Sequence, residues 1–204
     1  MSADIVPFNP LDKRHLGESV ANALLTRPIK PITELQPFVG AGVYAIYYTG
    51  EFPAYRVIAE RNRGGVWSLP IYVGKAVPAG SRKGGAGLGD RPGQVLYKRL
   101  REHLESIEAV QNLDSQDFGC RYLTVDDIWI PLGESLLIAR FSPIWNTLVD
   151  GFGNHDPGKG RHAGLRPRWD TLHPGRSWAD KLQERDETPS SIQREIKEVL
   201  AALP

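Results

Sequence analysis

The chain has 204 residues, of which 41% are hydrophobic and 24% charged, with a formal net charge of +1. That is enough apolar material for one domain with extensions, and a charge too balanced to name a nucleic-acid partner by itself. No apolar run approaches the ~20 residues that cross a bilayer, the opening MSADIVPFNPLDKRH lacks the apolar core of a secretory signal, and the single Cys120 excludes an internal disulfide or a thiolate metal cluster, so a soluble cytoplasmic protein with no membrane partner is expected.

Leu16, Val20 and Leu24 recur at helical spacing and predict a short helix over 16–26, which Pro28 and Pro31 stop. This N-terminal arm packs either on the core or on a second subunit. GVYAIYYTG, from Gly42, favours a strand because branched and aromatic side chains fit a pleated surface, and it puts Tyr44, Ile46 and Tyr48 on one face. LPIYVGK predicts a second strand at 71–73, between Pro70 and Gly74, whose pairing with the first brings Tyr72 near Tyr44. The interval Glu51–Leu69 is long for a hairpin loop, and such insertions are mobile or functional.

After Lys75, AVPAGSRKGGAGLGDRPGQ is too rich in glycine for a regular element and carries Arg82, Lys83 and Arg91. It reads either as a linker or as a loop whose backbone approaches DNA closely, and its place directly after a strand favours the loop. Asp90 and Pro92 supply a cap and first turn for a helix over 92–110 with Leu96, Leu100, Leu104 and Ile107 as its buried stripe. Arg99 and His103, four apart, share a face one position round from that stripe.

GCRYLTV predicts a third strand at 119–125. Asp126 or Asp127 then begins a helix that tolerates Pro131 in its first turn. On it Glu134, Leu137, Ile138 and Phe141 share a face, so the carboxylate needs a cation or a hydrogen-bond partner. SPIWNTLVDGFGNHDPG is loop-rich, with Asn146 near its start. KGRHAGLRPRW adds Lys159, Arg161, Arg166 and Arg168 without an acid. The tail from 177 to 203 predicts two short helices, the last with Ile192, Ile196, Val199 and Leu203 as an apolar face that packs on the core or on a second chain.

Between Arg56 and Arg101, ten basic residues, among them Arg61 and Arg63, stand against two acidic ones; this net +8 leaves −7 elsewhere and suits a phosphate-facing surface. His155, Asp156 and His173 are too dispersed to make a strong metal signal, and the glycine-rich loop matches neither a P-loop nor a dinucleotide fingerprint. Taken singly, each polar candidate has an ordinary reading: packing for a strand tyrosine, an ion pair for Arg99, a satisfied helix histidine for His103, a backbone-bonding asparagine for Asn146.

In combination they are specific. GVY followed by YVG, a helix bearing Arg99-x-x-x-His103, then Glu134 and Asn146, resemble the GIY-YIG nuclease superfamily. The longer wording GAGVYAIYYTG, LPIYVGKAVPAG, RLREH and PIWNTLVDGFGNHDPG is similar, over about Phe38 to Trp178, to the small branch of type II restriction endonucleases in that superfamily that cut CCGCGG. GVY for GIY and YVG for YIG are apolar swaps that keep the tyrosines. The resemblance implies an α+β fold with a central, mainly antiparallel three-stranded sheet flanked by helices. It divides the chain into an arm (1–37), a nuclease core with recognition insertions (38–158) and a basic, helical C-terminal segment (159–204) within one compact domain.

It further implies hydrolysis of phosphodiester bonds in double-stranded DNA by Tyr44, Tyr72, Arg99, His103, Glu134 and Asn146. Glu134 would hold a single Mg²⁺, for which Mn²⁺ can substitute, and no organic cofactor is expected. Tyr44 would act as base relayed by His103, with Lys75, Arg99 and the metal favouring the phenolate; Tyr72 would position or supply a second phenol; Arg99 would grip the scissile phosphate; Asn146 would anchor phosphate or tyrosine. Lys75, Arg61, Arg63, Arg82, Lys83, Arg91, Lys159 and Arg161 are the candidate DNA contacts. A palindromic target implies a homodimer and a cognate methyltransferase acting on the same site. The alternatives are a repair or homing nuclease of the same superfamily with little site preference, and a non-catalytic DNA-binding protein on the same scaffold.

Overall fold

The computed structural model describes residues 9, 11–78, 92–158, 160 and 163–203. Arg82, Lys83, Asp90, Arg91, Lys159 and Arg161 lie outside the described residues. The centre is a four-stranded antiparallel sheet in the order β1-β4-β2-β3, made of β1 (Lys30–Pro31), β2 (Gly42–Tyr48), β3 (Tyr72–Ala76) and β4 (Phe118–Thr124). The three strands expected from the sequence are joined by a fourth, the two-residue β1, which is too short to leave a periodic signal.

All seven residues of β2 are buried, because both faces of the sheet are covered. Its alternation divides the core in two. Tyr44, Ile46 and Tyr48 pack with Leu96, Leu100 and Leu104 of α3 (Val95–Glu108) and with the C-terminal helices. Val43, Ala45 and Tyr47 pack with α1 (Lys13–Leu25) and α4 (Ile130–Phe141).

The arm folds onto the core. Asp12 caps α1 by accepting the N–H of Arg14, and Ala21 and Leu24 are buried on the α4 side of the sheet. A single turn at Asp127–Trp129 leads into α4, where Pro131 occupies the first turn and so lacks only an N–H that the helix would not use. α3 begins at Val95 with Gln94 as its N-cap, three residues later than Pro92 suggested; Gln94 makes no capping bond.

The interval after β2 is a folded element. It holds α2 (Arg56–Asn62), and the buried Asn62 closes it: its Nδ2 donates to Tyr48 O (3.0 Å) and Leu69 O (2.8 Å), and its Oδ1 accepts Leu69 N (2.9 Å). The C-terminal part adds α5 (Ile144–Thr147), α6 (Arg168–Leu172) and α7 (Pro189–Ala201). Of the two helices expected in the tail, the first is only a turn at Ala179–Lys181. α7 buries Ile192, Ile196 and Leu200, a strict four-residue row, and leaves Val199 43% exposed. No helix among the described residues is long and apolar enough to cross a membrane.

Candidate active site

Tyr44 lies in the middle of β2, fully buried, and Tyr72 begins β3 on the same face, with ring centroids 6.2 Å apart. Gly74 pairs with Tyr44 across the strands. A Cβ there would sit 2.4 Å from the Tyr44 hydroxyl, so the glycine that follows Tyr72 and Val73 makes room for the phenol. α3 crosses above, and the four-residue spacing turns both Arg99 and His103 downward. His103 Nε2 is 2.5 Å from Tyr44 Oη, and Phe152 stacks on the imidazole with centroids 4.5 Å apart and planes at 17°.

Glu134 reaches the same place from the other side of the sheet. Lys75 follows Val73 on the α4 face of β3, and its Nζ meets Glu134 Oε2 at 2.6 Å. The partner that the carboxylate required is therefore this lysine. Tyr44, Tyr72, Arg99 and Glu134 open onto one cavity of about 550 Å³, which Lys75, Lys98, Glu102 and His155 also line. Asn146, on α5, stands beside β3: its Oδ1 accepts the N–H of Val73 and its Nδ2 donates to the Val73 carbonyl, both at 2.8 Å. Its amide thus holds the strand that carries Tyr72 and Lys75. Tyr48, the neighbouring phenol, accepts the N–H of Phe52 at 2.8 Å and does not line the cavity.

The Arg99 guanidinium is heavily bonded. Nη1 donates to Glu102 Oε2 (2.8 Å) and to His155 Nε2 (2.6 Å), and Nη2 donates to Gly153 O (2.7 Å). A side chain at Gly153 would push on both groups, since a Cβ would lie 2.8 Å from Tyr72 Oη and 3.0 Å from Arg99 Nη2. The turn that presents Gly153 and Phe152 is fastened from behind by the buried Arg176. Its Nη1 donates to Phe152 O and Asn154 O (both 3.1 Å) and its Nη2 to Gly151 O (2.9 Å), while Nε and Nη2 grip the two oxygens of Asp170 at 2.7 and 2.6 Å. The guanidinium lies over the rings of Trp169 (4.5 Å) and Trp178 (4.7 Å). A buried ion pair is tolerated only when its remaining donors are satisfied, and three backbone carbonyls do that here.

Glu102, Gly153, Asp170 and Arg176 did not emerge from the sequence as site residues. GFGNHDPG pointed to the turn, but nothing in the spacing of Asp170 and Arg176 announces a clamp. His155 and His173 do not combine into a metal site. His173 is buried between Tyr55 Oη (2.7 Å from Nε2) and Asn112 Oδ1 (2.8 Å from Nδ1), and among the described residues no group of three or more His, Cys, Asp or Glu could hold an ion.

Burial governs protonation in the site. It raises the Tyr44 phenol well above its ordinary value, helped by Tyr72, with Arg99 pulling the other way; it raises Tyr72 too, again against Arg99. Burial also holds His103 well below the ordinary imidazole value, with the positive charges of Arg99 and Arg176 adding to the effect. At neutral pH the contact is accordingly a phenol donating to a neutral imidazole. Of the cations expected to favour the phenolate, Arg99 pulls the Tyr44 value down but is outweighed by burial.

Of the candidate DNA contacts within the described residues, Lys75 lines the cavity. Arg61 and Arg63 lie at the far end of β2 and do not. Arg63 donates to Thr49 O and Gly50 O, both at 2.9 Å, and pairs with Glu51.

A family model described as the Eco29kI GIY-YIG domain, a restriction endonuclease family, matches residues 36–200. No curated protein matches the chain.

Proposed function

The chain belongs to the Eco29kI-type GIY-YIG family and is therefore a restriction-type nuclease domain that acts on DNA, and from that premise we propose that it is a type II restriction endonuclease, Mg²⁺-dependent and directed at CCGCGG. The observation that carries the reading is the 2.5 Å contact between Tyr44 and His103 in the wall of a cavity that Arg99 and Glu134 share.

In the proposed reaction the scissile phosphate enters the cavity and Arg99 grips it as a planar fork, which stabilises the charge that grows on the equatorial oxygens. Tyr44 Oη takes a proton from the attacking water while its own proton passes to His103 Nε2. The water oxygen bonds to phosphorus as the bond to the leaving oxygen breaks. Tyr44 remains a phenol throughout, so its raised pKa is no obstacle, and the neutral state of His103 is the one the relay needs. Burial is the main reason that His103 is neutral, and negative charge arriving on the phosphate offsets the lesser contribution of Arg99, which favours the transfer.

Glu134 presents one carboxylate to the cavity with Lys75 as its counter-ion, and a cation that keeps most of its waters and takes one or two protein oxygens, as Mg²⁺ does, fits such a donor set. When bound, Mg²⁺ would supply charge relief at the phosphate and the leaving oxygen. Each chain carries one such site and cuts one strand, so a homodimer about the two-fold axis of the palindrome completes the double-strand break, and a methyltransferase modifying the same sequence would protect the host.

The test is digestion of a plasmid carrying one CCGCGG site, with Mg²⁺ and with EDTA, followed by mapping of the ends. A single pair of symmetric ends, only with Mg²⁺, is expected. A smear would indicate a nuclease without site preference, and intact plasmid under all conditions would leave only a binding protein.

A further inference from the structure

The partners of Arg99 differ in kind. Nη2 is held by a main-chain carbonyl, Gly153 O, in a turn that Arg176 fixes. Nη1 has two hydrogens, and both go to side chains at the cavity: Glu102 Oε2 at 2.8 Å and His155 Nε2 at 2.6 Å. Those two side chains are 44% and 64% exposed, whereas that of Arg99 is 21% exposed. Glu102 follows Arg99 by three residues on α3, so the pair forms locally on the helix surface. Its carboxylate offers the guanidinium what a phosphodiester offers, a pair of anionic oxygens in one plane. Nη1 has no hydrogen left for a phosphate until one of the two departs.

On the reading that Arg99 binds the scissile phosphate, we infer that Glu102 is a positioning residue that stands in for that phosphate on Arg99. In the free protein it holds the guanidinium toward the cavity; on DNA binding the phosphate displaces it, while Gly153 O keeps the other nitrogen in place. Glu102 therefore weakens ground-state binding and is absent from the transition state, where Arg99 has changed partners.

The test compares Glu102→Gln with Glu105→Gln. Glu105 lies three residues further along the same helix, is exposed and has no hydrogen bond or ion pair to Arg99 among the described contacts, so its replacement removes one carboxylate charge from the helix without touching the guanidinium. The affinity of a fluorescein-labelled CCGCGG duplex is measured by anisotropy in EDTA, and KM and kcat are measured in Mg²⁺. Glu102→Gln is expected to lower Kd and KM about two- to fivefold below those of Glu105→Gln, the range for releasing an exposed ion pair, with kcat within about twofold. A role confined to helix stability would not tighten binding. Equal or weaker binding by Glu102→Gln than by Glu105→Gln overturns the inference while leaving the nuclease reading intact. A wild-type protein that neither binds nor cuts the duplex overturns that reading and this inference with it.

Discussion

Lys75 and Glu134 approach each other from β3 and α4, 59 positions apart in the chain, and meet with Nζ and Oε2 2.6 Å apart at the cavity where Tyr72 and Arg99 arrive from the opposite face of the sheet. The edge strand β3 is thus the place where two halves of the site join. Glu134→Gln keeps the shape of the side chain and a hydrogen bond to Lys75 but removes the charge. Cleavage is expected to fall by about 10²-fold or more, with duplex affinity in EDTA within a few-fold of wild type. Gel-based rates and anisotropy read the two separately, and a Glu134→Gln protein that cuts at the normal rate would remove this carboxylate from the mechanism.

Tyr44→Phe leaves the ring over Gly74 and deletes only the hydroxyl bonded to His103. The kcat is expected to drop by about 10²- to 10⁴-fold, the range for losing a positioned general base. Stability should fall by about 1–2 kcal/mol, because His103 Nε2 is left buried without its donor. Single-turnover rates and urea midpoints check the two effects. A kcat within threefold of wild type would show that the water is activated elsewhere.

Gly153→Ala puts a methyl group 2.8 Å from Tyr72 Oη and 3.0 Å from Arg99 Nη2. Both neighbours are side-chain ends facing a cavity, so they can move aside without disturbing the core. The expected signature is a loss of about tenfold or more in kcat/KM with Tm little changed, since small displacements of positioning groups cost rate rather than stability.

Acid stability follows from two buried histidines. Burial holds His103 below its ordinary value and brings His173 down to about 3, with Arg176 contributing to both. In the unfolded chain each titrates near ~6.5, so below that pH the unfolded state binds more protons than the folded one. The stability they confer is full above pH 6.5 and is lost as pH falls toward the folded values, at about 1.4 kcal/mol per pH unit for each group. Asp117 and Asp170, whose carboxyls burial raises, work in the opposite sense nearer the carboxylate range, so comparison is best kept above pH 5. Urea unfolding at pH 7.5, 6.0 and 5.2 should show the decline, and His173→Gln should make it shallower. An unchanged slope in His173→Gln would mean that this histidine does not titrate on unfolding.

The parts of the site visible in the sequence are those whose geometry is local. Alternation along β2 and β3 puts Tyr44 and Tyr72 on one face, and a spacing of four does the same for Arg99 and His103 on α3. The Glu134 side chain visibly required a partner, but which cation answered depended on how α4 lies across β3. Asn62, Asp170 and Arg176 were invisible because each is a polar residue satisfied in the interior by partners that loops bring to it, at spacings that match neither a helix nor a strand, and no periodicity encodes that. The short β1 and the folded interval around α2 escaped for the same reason: two strand residues, or seven helical ones, take their stability from packing rather than from pattern.

Asn146 has one more consequence. β3 is the last strand on its side of the sheet, and a bare margin invites another chain to add a strand; here the amide of Asn146 already occupies both main-chain groups of Val73. The opposite margin, β1, is two residues long and includes Pro31, which has no N–H to offer. Addition of a strand from a second chain is thus opposed at Val73 on one margin and at Pro31 on the other.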